Sequence, residues 1–159
     1  MGRPDTRREV RRGTTRLWRE TLVLNSSGSL SAINTDQHFH RAAKEALERD
    51  AGPLVLPPFV LAELHYMILT RHGPGEELAL LDEVGQGIPS GPFSTEDIAE
   101  AQAMIERYIS FGDVGLADAS NVVLATRYGT RDILTLDGRH FRAIYGPKGR
   151  PFRLLPADL

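Results

Sequence analysis

The chain contains no cysteine, which excludes a disulfide framework and a thiolate metal site and fits a reducing, intracellular setting. It has no apolar run near the roughly 20 residues needed to cross a bilayer, and its first residues lack the apolar core of a secretory signal. The expectation is a cytoplasmic protein with no membrane association. Internal repeats are absent too, and the five histidines include no pair at the spacing of a metal-binding helix: His38 and His40 are two apart and face different directions. At 159 residues the chain holds one domain with a real core and has no comfortable room for two.

What is present is ordinary in amount and uneven in placement. Hydrophobic residues make up 41% and charged residues 25%, with a net charge of −2, values normal for a globular domain. Residues 1–20 are dense in Arg and lack a sustained apolar period. They read as a flexible extension, with the single domain spanning 21–159. A second basic stretch, 127–153, carries seven Arg and Lys against Asp132 and Asp137, a formal +5. Its guanidinium groups match phosphate oxygens geometrically, and a solvated face is the plain alternative.

From Thr21 onward strands and helices alternate. TLVL is a first strand, followed by a loop and short helix through Ile33. Asp36 is placed to cap a helix reaching Arg49. PLVLPP reads as a second strand cut off by Pro57 and Pro58, and VLAELHYMILTRHG as a helix ended by Gly73 and Pro74. Another helix spans Glu76 to Val84, with a weak strand near Ile88. Ser94 and Asp97 form a capping box for a helix with apolar positions at Ile98, Ala101, Ile105 and Tyr108. A helix from Ala117 to Tyr128 stops at Gly129. DILTL is a strand, DGRHFRAI a loop and turn, and FRLL a last strand. Strands separated by helices of this length predict an α/β fold whose mostly parallel sheet is covered on both faces. Such sheets bind ligands at the carboxyl ends of their strands.

Four polar residues fall toward that edge. Asn25 follows TLVL directly and Asp137 follows DILTL almost directly; Asp118 opens the helix of LADASNVVLA. Glu63 lies at the margin of the apolar stripe of its helix, beside Val60 and Met67, where burying a carboxylate is costly without compensation. Each has a local explanation. Asp118 is a possible N-cap, Asp137-Gly138 a turn pair, Glu63 a surface acid, and Asn25 an Asx-turn. Together they gather several carboxylates at one sheet edge, an arrangement that repels itself unless it holds a hard divalent cation such as Mg²⁺ or Mn²⁺.

These stretches resemble the motifs of PIN-domain ribonucleases. LVLNSSGSL is similar to their opening strand and loop, PPFVLAEL to the second motif with its Glu, and GLADASNVVLATRYG and ILTLDGRHF to the third and fourth acidic motifs, in the same order. The overall arrangement over residues 21–157 looks most like VapC toxins of bacterial toxin–antitoxin pairs. The resemblance implies a three-layer α/β/α sandwich and assigns metal-binding or catalytic roles to Glu63, Asp118 and Asp137, with Mg²⁺ or Mn²⁺ as cofactor. Ser27 matches the small hydroxyl residue that supports the first acid, and Asp113 lies nearby at no matching position. The resemblance further implies an RNA substrate of the structured tRNA or rRNA class, a cognate antitoxin protein and a homodimer.

The departure is Asn25, which stands where the family has its first Asp. Its carbonyl can face a metal, but with a dipole in place of a full charge. A charge pair near 4 Å is worth about 4 kcal/mol at an effective dielectric of 20. Losing half of that weakens metal binding or catalysis by on the order of tenfold to several hundredfold. The expected protein is an endoribonuclease attenuated at position 25. The alternative is a PIN-like RNA-binding or regulatory module without catalysis. A phosphoryl-accepting pocket is disfavoured, because it needs an Asp nucleophile after the first strand. His140 is a candidate phosphate contact or a surface residue.

Overall fold

The computed structural model describes residues 20–49, 52–88 and 91–159. The Arg-rich extension read at residues 1–20 therefore lies outside the described residues, apart from the exposed Glu20.

Four short strands, β1 (Leu22–Leu24), β2 (Leu54–Val55), β3 (Asp132–Leu134) and β4 (Arg153–Leu155), form one parallel sheet in the order β2-β1-β3-β4. The helices are α1 (Ser26–Ile33), α2 (His40–Arg49), α3 (Pro58–His72), α4 (Pro74–Gly87), α5 (Thr95–Tyr108), α6 (Leu116–Arg127) and α7 (Gly138–Ala143). This is the expected three-layer α/β/α arrangement. Strands buried on both sides are largely apolar, and Leu22, Val23, Leu24, Ile133, Leu134, Leu154 and Leu155 are all buried; the charged first residues of β3 and β4, Asp132 and Arg153, pair with each other. One cluster joins β1, β3 and β4 to α6 and α7 through Val23, Val122, Ile133, Phe141 and Leu154. A second joins the sheet to α2 and α3 through Leu24, Ala46, Val60 and Leu134.

From β1 the chain goes outward to β2 on one side and later to β3 and β4 on the other. The reversal lies between β1 and β3, and the carboxyl ends of those two strands are where such a sheet opens a crevice. Their register is Val23 opposite Ile133 and Leu24 opposite Leu134, and the Asn25 N–H continues the ladder to the Leu134 carbonyl at 3.0 Å. Helix α1 follows β1 directly and passes close to the end of β3 at Gly28. A Cβ on Gly28 would stand 2.5 Å from the Leu134 carbonyl oxygen, a backbone atom that cannot step aside.

Several local readings change. Helix α2 begins at His40 and not at Asp36, because Asn34 takes the turn for itself: its Oδ1 accepts from the Asp36 N–H at 3.0 Å. Ile88 ends α4, its N–H bonded to the Val84 carbonyl, and joins no strand. DGRHFRAI is not a loop: Gly138–Ala143 is helical, capped by Asp137, whose Oδ1 accepts from the Arg139 N–H at 3.1 Å. The capping box of Ser94 and Asp97 forms as expected at the head of α5.

Candidate active site

Asn25 ends β1 and caps α1, and its side chain is buried. Three donors converge on its Oδ1: the Ser27 hydroxyl at 3.1 Å, the Thr135 hydroxyl at 3.2 Å and, more weakly, the Ser27 N–H at 3.4 Å. They fix the direction of the amide, since the NH₂ end cannot accept these bonds. Nδ2 therefore faces outward and donates to Asp118 Oδ1 at 3.2 Å. The Asx-turn and the site contact are both present, one at each end of the same amide.

The two hydroxyls also anchor the loop after β3. Ser27 Oγ accepts from the Leu136 N–H at 3.0 Å, and Thr135 Oγ1 accepts from the Asp137 N–H at 3.1 Å. Ser27 thus supports position 25, as the resemblance implied.

Asp118 lies in the first turn of α6, but it is not the cap; that position is Gly115. Its side chain is 19% exposed. Oδ2 accepts from Nδ1–H of His140 at 2.9 Å. Burial pushes the Asp118 carboxyl above the usual carboxylate value; the His140 and Asn25 hydrogen bonds pull the other way, and the nearby charge of Asp137 adds to the rise. His140 is buried, 8% exposed at its side chain, with Nδ1 also 4.0 Å from Asp137 Oδ2. This removes the reading of His140 as a surface residue. Its signal in the sequence was its spacing, one turn after Asp137, which becomes informative once α7 is recognised as a helix.

Glu63 is exposed on α3, and its Oε1 accepts from the Ser26 hydroxyl at 2.7 Å. Asp113 is exposed in the link before α6. The residues therefore form one connected rim, from Glu63 through Ser26 to Asn25, Asp118, His140 and Asp137. Among the described residues no three His, Asp or Glu side chains are drawn together as a ligand set. Asn25 and His140 occupy the two oxygens of Asp118, and Ser26 holds Glu63.

The acids still suit a hard divalent cation: the donors are oxygens, and the half-buried Asp118 carboxylate is partnered by an amide and an imidazole with no Arg or Lys bonded to it among the described residues. Asn25 does not suit it in this orientation, because it presents an N–H.

The basic stretch is smaller than its sequence suggests. Arg127 pairs with Asp97, Arg142 with Asp158 at 2.6 Å, and Arg153 with Asp132; Arg131 donates to the Pro151 carbonyl at 3.1 Å. Asp97 and Asp158 lie outside the span over which the charge was counted. Arg139 is exposed at the rim, with Nη2 3.5 Å from His140 Nε2. Asn121, one turn beyond Asp118, is fully buried, and neither of its amide atoms finds a protein partner among the described residues.

The PIN domain family matches residues 23–147. The ribonuclease VapC26 of Mycobacterium tuberculosis is 38% identical over 136 residues, which cover 85% of this chain and 100% of that protein. Among solved structures, VapC20 of Mycobacterium tuberculosis, described as a sarcin-ricin loop cleaving toxin, superposes with a TM-score of 0.66 at 17% identity, covering 74% of this chain and 90% of the other. VapBC2 of Rickettsia felis, solved with a DNA fragment from its promoter, gives 0.62 at 18% identity, covering 84% and 98%. At those identities the two structures speak for the fold.

Proposed function

Because the chain belongs to the PIN-domain family, among relatives of the VapC type, we propose that it is an endoribonuclease toxin of a toxin–antitoxin pair, dependent on Mg²⁺ or Mn²⁺ and weakened by Asn25. The carrying observation is the rim at the switch point of the sheet, where the half-buried carboxylate of Asp118 is met by an amide and an imidazole and, among the described residues, by no Arg or Lys. The 38% identity to a ribonuclease over the relative's whole length supports the reaction.

In this reading Glu63, Asp118 and Asp137 hold the cation. When bound, it supplies Lewis-acid activation of water and neutralises charge on the phosphate. The chain's own residues set the stage. Ser27 and Thr135 lock position 25, Ser26 orients Glu63, and Thr135 with the Asp137 cap fixes the loop after β3. Arg139 at the rim is a contact for the RNA backbone, which gives affinity without reading bases. Asn25 opposes the reaction twice: it removes a negative charge and aims an N–H where a ligand oxygen is needed. The substrate class is structured RNA of tRNA or rRNA type, in keeping with the loop-cleaving toxin that shares the fold. The partners are a cognate antitoxin and a second copy of the chain, in the cytoplasm.

The orientation of the Asn25 amide also supports a second reading, a PIN-like RNA-binding or regulatory module without catalysis. One experiment separates the two: Mn²⁺ and Mg²⁺ titration calorimetry with RNA cleavage assays on the chain and on Asn25→Asp. Tighter metal binding and cleavage in the variant, abolished by EDTA, support the nuclease. Absence of metal binding and cleavage in both proteins would leave the binding module as the function.

A further inference from the structure

We propose that His140 is the positioning residue of this site, with Nδ1–H fixing Asp118 beside Asp137 so that the two carboxylates meet a divalent cation as a pair. The inference rests on the metal-dependent reading above. An imidazole is costly to bury unless its nitrogens are partnered, and if only volume were needed a side chain like that of the adjacent Phe141, 1% exposed in the core, would serve. The partner of Nδ1 at 2.9 Å is instead the half-buried acid of the rim. The same nitrogen stands 4.0 Å from Asp137, which caps the helix carrying His140.

The placement is built from both sides. On α7 the cap turns Asp137 Oδ1 to the Arg139 N–H, so that Oδ2 is the oxygen nearer the imidazole. On the far side of the ring Nε2 is approached by Arg139 Nη2 at 3.5 Å and by Gly112, where an added Cβ would come within 3.7 Å. An Arg donor at Nε2 and a carboxylate at Nδ1 both require the Nδ1–H tautomer. His140 thus holds one oxygen of Asp118 while Asn25 holds the other. With an aspartate at position 25 it becomes the donor that keeps Asp118 aimed between the acids. Outer-shell donors of this kind typically carry 10- to 100-fold in metal affinity.

The test uses the Asn25→Asp protein as parent and compares His140→Asn, whose amide nitrogen replaces Nδ1 as a donor, with His140→Leu, which removes it. Calorimetric Mn²⁺ titration is expected to show affinity falling about 10- to 100-fold in the Leu variant and largely retained in the Asn variant, while melting in EDTA is lowered in both. Equal weakening in both variants, or in neither, overturns the positioning role and leaves the nuclease reading standing. A parent that binds no Mn²⁺ overturns both. In the chain itself, ¹⁵N imidazole correlation spectra should show His140 protonated on Nδ1; the Nε2–H tautomer contradicts the assignment without any reference to activity.

Discussion

Asp132 and Asp118 are two aspartates set against the same sheet, one buried at the amino end of β3 and one half-buried on α6 beside the carboxyl ends of β1 and β3. Asp132 is 5% exposed at its side chain and is gripped by Arg153 at both oxygens, with Nε 2.9 Å from Oδ1 and Nη2 2.5 Å from Oδ2. Asp118 receives an amide and an imidazole. The first is a closed ion pair that joins two strands and leaves nothing over. The second receives no Arg or Lys among the described residues, and under the proposed function that imbalance belongs to a binding site where the pair belongs to a seam.

The comparison is broken most severely by Arg153→Ala. It leaves Asp132 buried without its cation and is expected to cost about 3 kcal/mol in urea unfolding, whereas Asp118→Asn should leave stability unchanged or raise it. Asn25→Asp sharpens the contrast from the other rim by setting a carboxylate against Asp118. A loss of about 2 kcal/mol in EDTA is expected, recovered on adding Mn²⁺; the same loss in Mn²⁺ would show that no cation enters. Asn121→Leu removes a buried amide that lacks protein partners and should stabilise by about 1 kcal/mol. A lower midpoint of unfolding would mean that the amide is satisfied in solution.

Acid titration separates the same two classes of carboxylate. The Arg142 guanidinium holds Asp158 below the ordinary value of 3.8, so its stabilising effect is present above that value and is lost as pH falls through the lowered one. Asp118 is raised by burial, so its charged form costs stability at neutral pH, and the cost lifts as pH falls through the raised value. Melting curves from pH 6 downward should therefore lose their upper inflection in Asp118→Asn and their lower one in Asp158→Asn. The smallest effect is expected for Arg41→Ala, which cuts an exposed pair with Glu45 and should change stability by about 0.5 kcal/mol or less.

Much of this layout is readable from residue order. Apolar runs without alternation, stopped by Asn25, by Pro57 and Pro58, and by Asp137, mark strands buried on both faces, and the Ser94 and Asp97 box marks a helix start. The strand ends then place Asn25 and Asp137 at one edge with no reference to tertiary structure. Two things were not readable. The six residues of α7 are too few to show a period, so His140 looked like a loop residue although its neighbour Phe141 belongs to the core. The direction of the Asn25 amide depends on Thr135, 110 positions away, a contact that exists only once β1 and β3 are paired. The Arg-rich stretch misled for a related reason: its acidic partners Asp97 and Asp158 sit elsewhere in the chain.

The pairing of Leu24 with Leu134 has a further consequence. It aligns Asn25 with Thr135 on the next rung, so the chemistry at the rim is indexed to the offset between two strands. A slip by a single residue turns every side chain to the opposite face and would scatter amide, hydroxyl and acid together, with no intermediate setting. A site registered in this way cannot be adjusted by sliding its parts. It can be retuned only by exchanging atoms in place, and an exchange of one nitrogen for one oxygen at position 25, as in Asn25→Asp, is the smallest such change the backbone permits.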